Sequence, residues 1–339
     1  LTGINLTVDC GSILGLVGHS GCGKTTLLRL IAGLETPMQG SISLNGHEVS
    51  NSKFAIPPES RGVGLMFQDY ALFPHLTVKE NVLFGLHKLP PKVAKERALH
   101  LLTHVHLLDR QHDYPNVLSG GEQQRVALSR AIAPSPKILL MDEPFSNLDR
   151  CLRDSVLEQT RIFLRTMKTT AIVVSHDPEE IMRLSDIIAF MSKGKIEQYG
   201  TAKALYDAPQ SLTVMRFFES GNEIPGTVRQ GLIETPLGFF PSCASFAEGQ
   251  NVVVCVRAHH FSLHTHTRNN SSQTSEIWTH PLKGRILERR FFGTHHILRV
   301  HVPSLNTPLS LRAPANEEHG SGAEVTFSIN KKDAHIFPA

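Results

Sequence analysis

The chain has 339 residues, more than one ordinary domain holds, so two or three domains are expected. Hydrophobic residues are 40% of it and charged residues 19%, which excludes a disordered chain and implies buried cores. A net charge of +3 without a basic cluster is too mild to argue for a nucleic-acid partner, and none is expected; no apolar run approaches the roughly 18–20 residues that cross a bilayer. The start, Leu1-Thr2-Gly3, has neither the charged nor the apolar part of a signal peptide. Because Leu1 is not methionine, further chain is expected upstream. Five cysteines, at 10, 22, 151, 243 and 255, form no C-x-x-C pair, a pattern suited to a reducing compartment.

In chain order, Ile4, Leu6 and Val8 alternate and predict a strand, followed by a turn and a buried strand, Ile13-Leu14-Gly15-Leu16-Val17. Gly18-His19-Ser20-Gly21-Cys22-Gly23-Lys24-Thr25 comes next and fits G-x-x-x-x-G-K-[ST] at every fixed position. A helix from Thr25 through Thr26 to Ala32 follows, with Gly33 as its C-cap. Small residues let such a loop turn its N–H groups inward onto phosphate, and the positive helix end adds attraction. Lys24 then reaches the β- and γ-phosphates, and the Thr25 hydroxyl can ligate Mg²⁺. The bland reading is a glycine-rich turn without a ligand. The strand before the loop and the helix after it weigh against that.

Residues 40–49 read as a hairpin around Asn45-Gly46. Val63–Phe67 is strand-like and ends at Gln68, and residues 70–86 look irregular. Residues 92–108 carry apolar side chains at helical spacing. LSGGEQQR, residues 118–125, opens a second helix and sets Ser119, Gly120, Gly121 and Glu122 at its N-terminus. That is either an ordinary helix cap or a second anion site. Ile138-Leu139-Leu140-Met141 is a strand buried on both faces that runs into Asp142-Glu143. That is either an acidic pair capping a buried strand or, by strand alternation, one carboxylate turned toward a metal and the other toward the γ-phosphate and its attacking water. Residues 151–167 look helical, Ala171–Val174 is a strand ending at Ser175-His176, and 187–191 and 195–198 are strands around Lys193-Gly194. Strands alternating with helices from about 13 to 191 give an α/β class with a mostly parallel sheet. After residue 220 the pattern changes to short β runs at 226–228, 252–256, 284–287, 297–302, 309–312 and 325–329, with a polar stretch at 265–276.

GHSGCGKT, Gln68, LSGGEQQR, ILLMDE, SNLD at 146–149 and His176 stand in the order and spacing of ABC-transporter ATPases, which the chain resembles over about residues 1–215. The resemblance implies a P-loop, RecA-like core with a helical subdomain at about 72–133, in an ATPase domain of residues 1–219. A small all-β domain, OB-like or TOBE-like, of regulatory type would fill residues 220–339. ATP would lie on Gly18, His19, Ser20, Gly21, Cys22, Gly23, Lys24, Thr25 and Thr26. Ser119, Gly120, Gly121 and Glu122 of a second, head-to-tail copy would close over it. Mg²⁺ would be held by Thr25, Gln68 and Asp142. Glu143 would activate water, assisted by Lys24, Gln68 and His176, while Asp149 would signal across the dimer. The aromatic residue on which the family stacks adenine is expected upstream of residue 1, and the usual S-A-L-D reads S-N-L-D here.

The β-rich tail resembles that of importer ATPases for maltose, polyamine, sulfate and ferric iron, and FPHLTVKENVLFGL (73–86) resembles their permease-facing surface. Two transmembrane permease subunits, a solute-binding protein and a place on the cytoplasmic face of the bacterial inner membrane are thereby implied. SNLD, the loop at 50–64 and IETPLG (233–238) lean toward the ferric-iron group, although Val256-Arg257-Ala258-His259 departs from its V-R-P-E. A soluble ABC ATPase acting on DNA or ribosomes is the rival, and a P-loop kinase or GTPase leaves LSGGEQQR unexplained. The 19 histidines invite a metal site in the tail, but the adjacent pairs His259-His260 and His295-His296 cannot easily converge on one ion.

Overall fold

The computed structural model describes residues 1–242, 246–264, 278–317 and 319–339. It divides into two compact units, Leu1–Asp207 and Ala208–Ala339. No helix among the described residues is long and apolar enough to cross a membrane.

The first unit is built on β1 (Ile13–Val17), the hairpin β2 (Ser41–Leu44) and β3 (His47–Asn51), β4 (Val63–Met66), β5 (Ile138–Asp142), β6 (Ala171–Val174), β7 (Ile187–Ser192) and β8 (Lys195–Gly200). Its helices are α1 (Lys24–Ala32), α2 (Val78–Phe84), α3 (Pro91–His104), α4 (Gly120–Ile132), α5 (Arg150–Thr166), α6 (Pro178–Leu184) and α7 (Ala202–Asp207). Six strands form one sheet in the order β4-β5-β6-β1-β7-β8, parallel except for the last pair. The central strands are apolar throughout because helices cover both faces, and β1 and β6 are buried at every residue. The ends of β1, β5 and β6 therefore emerge side by side at one edge of the sheet, where ligands collect in such folds. The hairpin turns at Asn45 and Gly46, both at positive φ, as the Asn-Gly pair requires.

Three expectations are corrected. Residues 4–8 form no strand, because no ladder pairs them; Ile4, Leu6 and Val8 instead lean their side chains on the core beside β1. The stretch at 70–86 is not irregular but contains α2, started by a reciprocal cap in which Thr77 accepts from Glu80 N–H and Glu80 accepts from Thr77 N–H. The predicted helix at 92–108 stops at His104. Leu107 N–H turns back to the Leu102 carbonyl and His106 adopts positive φ, which ends the helical path.

Among its described residues the second unit holds α8 (Leu212–Phe218) and ten strands. These are β9 (Asn222–Arg229), β10 (Leu232–Thr235), β11 (Gly238–Pro241), β12 (Asn251–Val256), β13 (Phe261–His264), β14 (Leu282–Phe291), β15 (His295–His301), β16 (Leu309–Pro314), β17 (Glu324–Ile329) and β18 (His335–Pro338). They make two five-stranded antiparallel sheets, β11-β10-β9-β12-β18 and β13-β17-β14-β15-β16. A single apolar cluster, with Ile224, Val254 and Phe240 from one sheet and Leu298, Leu311 and Phe327 from the other, fills the space between them. Met215 of α8 packs on Cys255 and Phe337. The polar stretch at 265–276 lies outside the described residues.

Candidate functional site

The phosphate loop is fixed by its glycines. Gly18 leaves β1 at φ 147°, and a Cβ there would sit 2.1 Å from the Met191 carbonyl oxygen, so only glycine fits. Gly21 and Gly23 also take positive φ, and Gly23 caps α1. The loop thus closes around the first turn of a helix, whose leading N–H groups have no partner within the helix and suit an anion. Lys24 is folded into it, with Nζ donating to the carbonyls of Gly18 at 2.7 Å and His19 at 3.1 Å. Ser20, Thr25 and Thr26 are exposed at its mouth, while Cys22 is buried beneath it.

Asp142 ends β5 and hydrogen-bonds Thr25. Burial raises its pKa, the Thr25 bond opposes that, and the neighbouring Glu143 charge pushes further up. Glu143 follows at φ 46°, its N–H bonded to the Val174 carbonyl. This left-handed residue redirects the side chain off the strand path toward His176, beyond β6, whose Nδ1 lies 3.1 Å from Glu143 Oε1. The two residues are 33 positions apart in sequence, and the parallel pairing of β5 with β6 brings them together.

The loop at 146–149 ties the other elements to this pair. Ser146 Oγ donates to the Glu143 carbonyl, and Asn147 Nδ2 donates to the Gln68 carbonyl at 3.0 Å. Leu148 packs on Gly120, whose missing Cβ would lie 3.2 Å from the leucine side chain. Asp149 caps α5 through the Leu152 N–H. At α4, Ser119 accepts from Glu122 N–H while the Glu122 carboxylate accepts from Ser119 N–H and Oγ and from Arg110 Nη1. The Glu122 carboxylate is thus spent on the cap. Ser119 itself remains exposed at the helix end.

The structure therefore brings together 18–25, Asp142, Glu143 and His176, and links Gln68 through its backbone. It places Ser119, Gly120 and Gly121 at a separate helix terminus. Each is where one anion would be held.

Residues 1–146 match the family model described as ABC transporter, and 254–337 match that of the TOBE domain. The chain is 37% identical to the Fe(3+) ions import ATP-binding protein FbpC of Mesorhizobium japonicum, covering 99% of this chain and 95% of that one. It belongs to the importer-type ABC-transporter ATPases. The spermidine/putrescine import ATP-binding protein PotA of Pseudomonas fluorescens is also 37% identical, over 96% of this chain and 89% of its own. The sulfate/thiosulfate import ATP-binding protein CysA of Synechocystis is 43% identical, over 78% and 73%. A dimeric ATP-binding cassette in a post-hydrolysis state bound to ADP and phosphate superposes with a TM-score of 0.51 at 29% identity, covering 60% of this chain and 90% of that one.

For an ABC ATPase, two polar residues near Glu143 stand outside the motifs read from the sequence. Arg153 on α5 and Glu180 on α6 line a cavity of about 50 Å³ together with Glu143, Ser146, Ser175 and His176. The available sequence signals were the Asp177-Pro178 helix start and the arginine one turn after the Asp149 cap. Among the described residues no group of three or more His, Cys, Asp or Glu side chains could hold a metal ion. His259 instead faces Glu219, and His264 bonds Ser328. His266 lies outside the described residues.

Proposed function

We propose that this ABC ATPase couples ATP binding and hydrolysis to solute uptake, with the hydrolytic centre at Glu143 and His176. The observation that carries this reading is the Glu143–His176 pair at 3.1 Å, set beside the Asp142–Thr25 contact at the mouth of the phosphate loop. The loop N–H groups and Lys24 bind the β- and γ-phosphates. Glu143 takes a proton from water as its oxygen attacks the γ-phosphorus, and the bond to the bridging oxygen breaks to leave ADP and phosphate. His176 holds the Glu143 carboxylate in line.

The exposed Thr25 hydroxyl and the half-buried Asp142 carboxylate are hard oxygen donors at a phosphate loop, and suit Mg²⁺. Bound there, with Gln68 as a further ligand, Mg²⁺ would neutralise charge on the phosphates.

Two copies pair head to tail, so that Ser119, Gly120 and Gly121 of one face the γ-phosphate on the other. The separate placement of the α4 terminus and the exposure of Ser119 support this arrangement. The dimer serves two permease subunits at the cytoplasmic face of the inner membrane, fed by a solute-binding protein, and residues 220–339 act as a regulatory domain. Ferric iron is the solute best supported, by the iron-importer relative that spans 99% of the chain. The polyamine relative, equally identical over 96%, supports the second reading.

Solute uptake in cells lacking this subunit tests the proposal, with ferric iron, polyamines, sulfate and sugars compared. Loss of ferric uptake alone, restored by the wild-type chain but not by Glu143→Gln, is expected. Loss of polyamine uptake instead would discard iron and keep the mechanism. Unaltered uptake of every solute would remove the transport role.

A further inference from the structure

Arg153 joins three segments that the hydrolytic pair depends on. Its Nη2 donates to the Leu148 carbonyl at 3.1 Å, at the end of the loop that carries Asp149. Its Nη1 lies 3.5 Å from Asp177 Oδ2 and 3.6 Å from Glu180 Oε1. Its Nε is buried and takes no partner among the described residues. Glu180 is 6% exposed and accepts from Ser175 Oγ at 2.6 Å, and the same oxygen accepts from the Asp177 N–H at 3.0 Å. His176 is the residue between Ser175 and Asp177. Its backbone is therefore held on both sides by groups that Arg153 and Glu180 anchor.

Glu180 is buried and Arg153 half-buried, and taking such charges out of water is costly, so their ion pair is weak support for stability. This one sits on the polar cavity of about 50 Å³ that also exposes Glu143, Ser146 and His176. That space has room and partners for ordered water, which the buried Nε can use. The contacts of Arg153 and Glu180 are with Leu148, Asp177 and Ser175, the segments that flank the pair.

Building on the reading of Glu143 and His176 as the hydrolytic pair, we propose that Arg153 and Glu180 form a positioning clamp that sets His176 against Glu143 and answers to the loop at 146–149. When the Leu148 carbonyl shifts, as this loop meets a second subunit, the guanidinium follows and the 175–177 turn moves with it. Occupancy across the dimer is thereby passed to the hydrolytic pair through one side chain.

The test uses the whole 339-residue chain and measures ATP turnover, ATP affinity and thermal unfolding on the same preparations. Arg153→Met is expected to lower kcat about ten- to a hundredfold, the cost of misplacing a reacting group by an ångström or less, with KM within about twofold. Arg153→Lys keeps the ion pairs and is expected to recover part of the rate. The double variant Arg153→Met/Glu180→Gln is expected to be no slower than the slower single variant, because both break one clamp. If Arg153→Met does not fold, Glu180→Gln decides with the same expected loss of kcat. An unchanged kcat, a rise in KM alone, additive losses, or Arg153→Lys as slow as Arg153→Met would each overturn the clamp. Wild-type turnover in Glu143→Gln would fail the underlying reading. A dead Glu143→Gln beside a fully active Arg153→Met would fail the clamp alone.

Discussion

Lys24 is 7% exposed, and its ammonium is held by two neutral carbonyls, those of Gly18 and His19. In the proposed site that charge is the one that meets phosphate. Lys24→Ala removes charge-assisted hydrogen bonds worth about 1.5–3 kcal/mol, so ATP affinity should fall about ten- to a hundredfold in a nucleotide titration. Affinity within twofold of wild type would take Lys24 out of the site. At this scale the motif residues were legible in the sequence because phosphate loops constrain residue type at fixed spacing. Gly18 shows why: its φ and the Met191 carbonyl leave no room for a side chain. Arg153 and Glu180 were not legible. Their contact joins two helices, α5 and α6, and no local pattern announces a tertiary ion pair.

At the scale of elements, the long strands and helices follow from hydrophobic period, whereas short helices depend on their caps. α2 spans seven residues, too few for periodicity to stand out, and its sole strong signal is the Thr77–Glu80 box. The same box, Ser119–Glu122, starts α4. The pair allows capping to be separated from function. Thr77→Ala and Ser119→Ala should each cost about 1 kcal/mol in denaturant unfolding. Only Ser119→Ala should also reduce ATP turnover, and equal turnover in both would reduce Ser119 to a cap. Glu122 adds a pH signature. Burial pushes its pKa up, but the Ser119 bonds and the Arg110 charge outweigh that and hold it below the ordinary value. A lowered carboxyl pKa stabilises the fold above the unfolded-state value, and that stability fades as pH falls through the folded value. The gap in thermal midpoint between wild type and Glu122→Gln should therefore narrow on acidification. A gap constant from neutral to acid pH would contradict this bonding.

At the scale of the whole molecule, the change from alternating helix and strand to short β runs near residue 220 announced a second unit of different class. The β-rich architecture was legible there, but β10, β11, β13 and β18 were not. Each is four residues long, too short for a period to stand out; β10 and β11 pair in tight hairpins, whereas β13 and β18 pair across distances a local pattern does not span, as in Val252 with Pro338. Phosphate-loop and α4-terminus surfaces are both presented, which a head-to-tail dimer uses. With ATP present, Glu143→Gln should sediment at twice the 37.5 kDa of one chain, and with ADP as a monomer. Adding Ser119→Arg should abolish the dimer. A dimer indifferent to Ser119→Arg would place the contact elsewhere.

In the proposed mechanism Glu143 activates the attacking water. The most direct test of that role is phosphate release by Glu143→Gln, measured beside ATP binding by the same protein. Amide for carboxylate keeps the shape and removes the base, so ATP affinity within a few-fold of wild type and turnover reduced by about 10² or more are expected. Turnover at the wild-type rate with ATP bound would place the base elsewhere around the phosphate loop.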